Sequence, residues 1–134
     1  MKNFLLIALL CFCVNAYAAN WKKFWENYEG TSEKYIDLDN IENVKNRSII
    51  FNTKVISDYL EKTNQGVLSV ISGYKINCRT KQLAGYGRTI FYDQQMGQGK
   101  IITRTSGRTW PFKDPGKEGD FDHTLVKYVC DLAK

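Results

Sequence analysis

Cys78 and Cys130 constrain this chain more than any other two residues. Cys78 closes an alternating run over residues 67–78. Leu68, Val70, Tyr74, Ile76 and Cys78 take one side of it, while Ser69, Lys75, Asn77 and Arg79 take the other. Successive side chains of a strand point to opposite faces, so the run reads as a half-buried β-strand with Cys78 on its apolar face. Cys130 lies beside a different periodicity. Phe121, Leu125, Tyr128, Val129 and Leu132 recur at the spacing of one face of an α-helix. A bond between the two sulfurs therefore ties a C-terminal helix to the inward face of a sheet.

Such a bond needs an oxidising compartment, and the N-terminus points to one. Met1-Lys2-Asn3 is a short positive start, residues 4–14 are apolar, and Ala16-Tyr17-Ala18 has the small-x-small pattern of a cleavage site. The run is shorter than the roughly 20 apolar residues a spanning helix requires. Residues 1–18 thus read as a signal peptide and 19–134 as one exported domain without a transmembrane segment. Cys11 and Cys13 lie within the apolar run, but bulky Leu10 and Phe12 precede them. Lipid-attachment sites favour small residues there, so both cysteines are expected to leave with the signal. Two cysteines remain, and an even count in an exported chain reads as one disulfide. Closing a loop of roughly 50 residues is worth about 4 kcal/mol in the chain-entropy model, a large share of a small domain's net stability.

The mature segment shows no internal repeat, low-complexity tract or linker. Strands are expected at 21–28, 35–39, 49–56, 67–78, 83–92 and 100–105. Breaks at Asn46-Arg47, Thr63-Asn64-Gln65-Gly66 and Met96-Gly97-Gln98-Gly99 separate some of them. Pro115-Gly116 interrupts the chain before the helix, Asp120 is a plausible N-cap, and Asp122 favours the first turn. The fold class is α+β: an antiparallel sheet with a C-terminal helix tethered to one face.

Catalytic and metal chemistry find little support. His123 is the sole histidine, and with both mature cysteines paired it cannot build a zinc site of ordinary ligand count. Neither Gly85-Tyr86-Gly87 nor Gly97-Gln98-Gly99-Lys100 has the spacing or strand-to-helix context of a phosphate loop. The acids do not recur as a glycosidase-type pair. Asn46-Arg47-Ser48 matches a glycosylation acceptor, a pattern that arises readily by chance. No enzyme activity and no cofactor are expected.

Charge is more informative. The chain carries a net charge of +5, concentrated in its centre. Between Lys62 and Lys113 the basic residues Lys75, Arg79, Lys81, Arg88, Lys100, Arg104 and Arg108 face one acid, Asp93. Even spacing places Lys100, Arg104 and Arg108 on a shared face as far as their strand runs, and Lys75 with Arg79 on the side opposite Cys78. Lys75, Arg79, Arg88, Lys100, Arg104 and Arg108 are therefore candidate ligand-binding residues of a basic surface suited to a polyanion. The bland alternative is a solvated outer sheet face. Interleaved aromatics such as Tyr74, Tyr86 and Trp110 would also suit single-stranded nucleic acid, but export argues against that partner.

The segments Tyr74-Lys75-Ile76-Asn77-Cys78, Arg88-Thr89-Ile90-Phe91-Tyr92-Asp93 and Gly97-Gln98-Gly99, with Cys130 in a terminal helix, resemble the surface-adhesin protein E family of Gram-negative bacteria. Tyr35-Ile36-Asp37-Leu38-Asp39-Asn40-Ile41 resembles an early segment of that family. The resemblance implies an antiparallel sheet of about six strands with a C-terminal helix held on its concave face by the Cys78–Cys130 disulfide. It also implies adhesion to host matrix and serum proteins such as vitronectin and laminin, and a homodimer. The leading expectation is an exported, non-enzymatic binding protein located in the periplasm, on the outer surface or in the medium. The alternative is a periplasmic, envelope-associated interaction protein without a host ligand.

Overall fold

The computed structural model describes residues 19–44 and 49–133. The expected signal peptide with Cys11 and Cys13, and the Asn46-Arg47-Ser48 tripeptide, lie outside the described residues.

The sheet is built from β1 (Trp21–Glu26), β2 (Ser32–Asp37), β3 (Glu42–Asn43), β4 (Ile50–Tyr59), β5 (Ser69–Asn77), β6 (Gln82–Tyr92), β7 (Ile101–Arg104) and β8 (Arg108–Thr109). One helix, α1 (Phe121–Leu132), ends the chain. Every pairing is antiparallel. The main path runs β1-β2-β4-β5-β6-β7, while β3 pairs β4 and β8 pairs β6. The six expected strands are thus the six of the main path, and β3 and β8 are short additions.

Local chemistry explains the turns. The Asn27 side-chain oxygen accepts a hydrogen bond from the Ser32 backbone N–H, and Gly30 adopts φ 68°, closing the β1–β2 hairpin. Asn77 Oδ1 accepts from the backbone N–H groups of Arg79 and Thr80, so the chain turns immediately beyond Cys78. Asp120 stands at the N-cap of α1, but its side chain makes no cap bond. It accepts instead from the Lys117 N–H at 3.1 Å.

The core lies between the helix and one sheet face. Ile36, Phe51, Val55, Ile76 and Leu83 pack with Leu125, Val126, Val129 and Cys130. The buried stripe is rotated slightly from the expected one, because Val126 is buried while Leu132 is 52% exposed. Aromatic rings fill the helix's first turns: Phe121 lies 6.0 Å from Phe24, 5.9 Å from Trp25 and 5.7 Å from Tyr74. The Lys34 ammonium sits 4.8 Å from the Phe121 ring centre and donates to Ser57 Oγ. Burial pushes its pKa down, against the pull of Asp122. Cys78 and Cys130 are disulfide-bonded across 52 residues with their Cα atoms 5.5 Å apart. The helix is therefore covalently held to the sheet where the cysteine pattern places it.

Candidate binding groove

Strand pairing sorts the sheet's side chains onto two faces. Phe51, Ile76 and Leu83 stand opposite one another on β4, β5 and β6 and belong to the core under α1. Their neighbours along each strand point the other way. On this open face Asn52 stands opposite Lys75, and Lys75 opposite Ala84. One pleat further, Lys54 stands opposite Gly73, and Gly73 opposite Tyr86. Ile56, Ile71, Ile90 and Arg104 make the next row across four strands, where the Gln95–Gly97 turn covers Ile71 and a fully buried Ile56 and leaves Arg104 exposed.

Between these rows the β5–β6 ladder is irregular. Ile71 pairs with Ile90 and Gly73 with Tyr86, so Gly87, Arg88 and Thr89 bulge against the single residue Ser72. Gly87 takes φ +75° there, a conformation that costs glycine little. Bulges re-aim side chains, and here Arg88 comes to line a groove with Tyr86 and Lys54. The groove measures about 470 Å³, and Asn40, Glu42 and Asn52 complete its polar lining. That volume falls in the range of roughly 300–1,000 Å³ usual for ligand sites.

One polar atom of the groove has no partner, while the Asn40 amide donates to the Asp37 carboxylate. Asn52 Oδ1 is buried and accepts no hydrogen bond among the described residues. The Lys75 ammonium lies 4.9 Å from the ring centre of Tyr86, a cation–π contact. Among the described residues, no ion pair involves Lys54, Lys75, Arg88 or Arg104. The helix-bearing side mixes charges of both signs, with Lys34, Lys113 and Arg108 among its cations. Asp114, Asp120 and Asp122 gather around the start of α1, with Asp122 bonded to Lys113 at 2.8 Å. The described residues contain no group of three or more His, Cys, Asp and Glu placed to hold a metal ion.

The structure brings together only some of the candidate residues. Lys75, Arg88 and Arg104 share the open face. Arg79 lies in the turn after β5, and Lys100 just before β7, where its backbone N–H donates to Asp93 Oδ1 at 2.7 Å. The expected common face for Lys100, Arg104 and Arg108 does not form. β7 ends at Arg104, and Thr105-Ser106-Gly107 interrupts the alternation before β8. Arg108 stacks 4.8 Å from the ring centre of Trp110. A Cβ on Gly85 would meet that ring at 2.7 Å, and Gly85 pairs with Tyr74, which packs against the core. Arg108 therefore belongs to the helix-bearing side. Lys54, Glu42 and Asn52 were not among the candidates. Lys54 was legible as the charged residue at an outward position of its strand, but Asn52's unpaired oxygen had no signal in the sequence.

Comparison with known proteins decides the family. A family model described as surface-adhesin protein E matches residues 21–131. The chain belongs to the surface-adhesin protein E family. Its fold is similar to Haemophilus influenzae protein E in crystal form II, with a TM-score of 0.56 and 19% identity over 83% of this chain and 88% of that one. The selenomethionine form of the same protein gives a TM-score of 0.56 and 19% identity, covering 81% of this chain and 85% of that one. At this identity the likeness to protein E shows the fold. No curated protein sequence matches the chain.

Proposed function

We propose that this family member is an exported, non-enzymatic binding protein that uses its open sheet face to capture host matrix or serum proteins, such as vitronectin and laminin, or sulfated glycans. The observation that carries this reading is the projection of Lys54, Lys75, Arg88 and Arg104 from one face without an ion-pair partner among the described residues. Cations on this face without an ion-pair partner supply a positive local potential that favours an anionic partner. Membership of a surface-adhesin family supports a binding role. Residues 1–18 act in this reading as the export signal, and residues 19–134 as the binding domain. Among the described residues no helix is long and apolar enough to cross a membrane.

Dimerisation belongs to the same proposal. β1 and β7 are the sheet edges. β1 carries two lysines, Lys22 and Lys23, charges that blunt edge pairing, whereas β7 carries one charge, Arg104, and exposes Ile102 at 38%. Pairing of β7 with its copy extends the sheet and doubles the basic face.

The test is capture by purified mature protein on surfaces coated with vitronectin, laminin or heparin, together with cell fractionation. Saturable, salt-sensitive capture that is lost in a Lys54→Glu/Arg88→Glu variant is the expected result. Absence of capture on all three surfaces, with the protein confined to the periplasm, overturns the reading in favour of an envelope-associated role.

A further inference from the structure

The groove holds more than positive charge. A surface that merely attracts polyanions needs cations and nothing else, yet this groove also presents a carboxylate from Glu42, side-chain amides from Asn40 and Asn52, and the ring of Tyr86. A carboxylate at an anion site is unfavourable unless the ligand also brings donors for it. Asn52 Oδ1 makes the same point. A buried acceptor without a partner costs free energy in the empty protein, and because the Asn52 side chain lines the groove, a small rotation that turns this oxygen toward a ligand hydroxyl or amide N–H removes that cost on binding. Tyr86 is 41% exposed, and the Lys75 ammonium packed over it steadies the ring. Tyrosine presents an apolar face together with a polar tip, which suits the flat apolar face of a hexose ring.

We propose that this groove is a saccharide subsite for an acidic hexose unit of a glycan chain. Arg88 and Lys54 meet the sulfate or carboxylate of the sugar, Glu42, Asn40 and Asn52 engage its hydroxyl or amide groups, and Tyr86 packs against its ring. The proposal rests on the basic-face reading and makes it specific: recognition of a sugar, rather than attraction of any polyanion. Phosphate chains lack the hydroxyl donors that Glu42 and Asn52 require. A glycan chain crossing the strands from this subsite toward Ile90 reaches Arg104, which pairs with it on β7, so Arg104 contacts a neighbouring unit.

Calorimetric titration of the purified mature protein tests the proposal with three probes: a heparin-derived hexasaccharide, a hyaluronan hexasaccharide with carboxylates only, and linear polyphosphate of matched charge. The expected result is at least about tenfold tighter binding of one or both sugars than of polyphosphate, a difference that binding arithmetic resolves readily. The two sugars separate sulfate from carboxylate recognition. Tyr86→Ala and Asn52→Ala should each weaken the sugar by about fivefold to tenfold and leave polyphosphate unchanged, while Tyr86→Phe keeps the sugar affinity. Asn52→Ala removes an acceptor that is unpaired in the free protein, so its fold should survive, and thermal unfolding verifies this. Polyphosphate binding as tightly as the sugars, with both variants silent, overturns the saccharide subsite and leaves the basic-face reading standing. Failure of all three probes to bind overturns the saccharide subsite and the polyanion part of the basic-face reading, while capture of proteins is decided by the coated surfaces.

Discussion

A β-carbon added to Gly73 would stand 2.3 Å from the carbonyl oxygen of Tyr86. That oxygen belongs to backbone in the middle of the sheet and cannot move aside cheaply. Gly73 therefore permits the close approach of β5 and β6 at the edge of the bulge, and so helps shape the groove. Gly73→Ala is expected to lower stability by about 1–3 kcal/mol, the usual cost of forcing extra atoms into packed structure. At Gly87 a Cβ meets nothing within 4 Å, but φ is +75°. Gly87→Ala should then carry only the left-handed penalty of about 1–2 kcal/mol. Urea unfolding of both variants measures the two costs. A neutral Gly73→Ala would mean that the strands are not so closely apposed.

The disulfide offers a second measurement. Cys78 leaves the end of β5, and Cys130 is buried among Leu125, Val126 and Val129 under the sheet. Replacing both cysteines with serine frees the denatured chain and leaves two hydroxyls where sulfur packed. Stability should fall by about 4 kcal/mol from loop entropy alone, taken as an upper estimate. Unfolding with and without reductant measures the loss in the unmodified chain, and only the oxidised wild type should respond to reductant.

Alkaline pH gives a third. Tyr74 lies on β5 with its ring edge-on to Phe121. Burial, reinforced by the negative charge of Asp122, pushes its phenol up to about 12 from an ordinary 10. Below pH 10 both folded and unfolded chains hold this proton, so stability does not depend on it. Between 10 and about 12 the unfolded chain releases the proton while the folded one keeps it. Stability then falls by roughly 1.4 kcal/mol per pH unit from this group. Lys34 acts in the opposite sense. Its burial-lowered pKa makes the folded chain lose a proton first, so stability rises as pH climbs toward the ordinary lysine value. Comparing wild type with Tyr74→Phe isolates the tyrosine: the variant should show a shallower loss of stability between about pH 10 and 12. Tyrosinate absorbance should lose one of two late-ionising components in the same variant, because Tyr35, which donates a hydrogen bond to Glu33, is also pushed up to about 12.

The framework was legible because periodicity and covalent chemistry agreed. The alternation ending in Cys78 and the helical stripe beside Cys130 placed the helix, the sheet and the link between them. Boundaries shifted where side chains override local preference. Asn27, for example, accepts the Ser32 N–H and stops β1 at Glu26, short of the expected Tyr28. The groove was only partly legible. Lys75 and Arg88 stood out by charge, but the bulge that aims Arg88 depends on pairing between Gly73 and Tyr86 across two strands. Single-strand periodicity cannot see such a relationship. Glu42 and Asn52 enter through the pairing of β3 with β4, a two-residue strand too short to announce itself.

Arg104 and Arg108 supply the sharpest division of the two faces. Even spacing alone would make them equivalent, yet Arg104 pairs with Ile90 on the open face, whereas Arg108 stacks on Trp110 on the side that carries α1. If the open face is the binding surface, Arg104→Ala should weaken heparin capture by about twofold to fivefold at low salt, roughly 0.5–1 kcal/mol, as expected for one exposed charge. The deficit should shrink as salt rises and screening shortens the reach of every surface charge. Arg108→Ala should leave capture unchanged while exposing more of the Trp110 indole, which is already 54% exposed, and this shows as altered tryptophan fluorescence. Parallel titrations of the two variants on immobilised heparin, at two salt concentrations, measure both effects. Equal losses in the two variants would mean that binding follows net charge and ignores the division of the sheet, because each substitution removes one positive charge and only their placement differs.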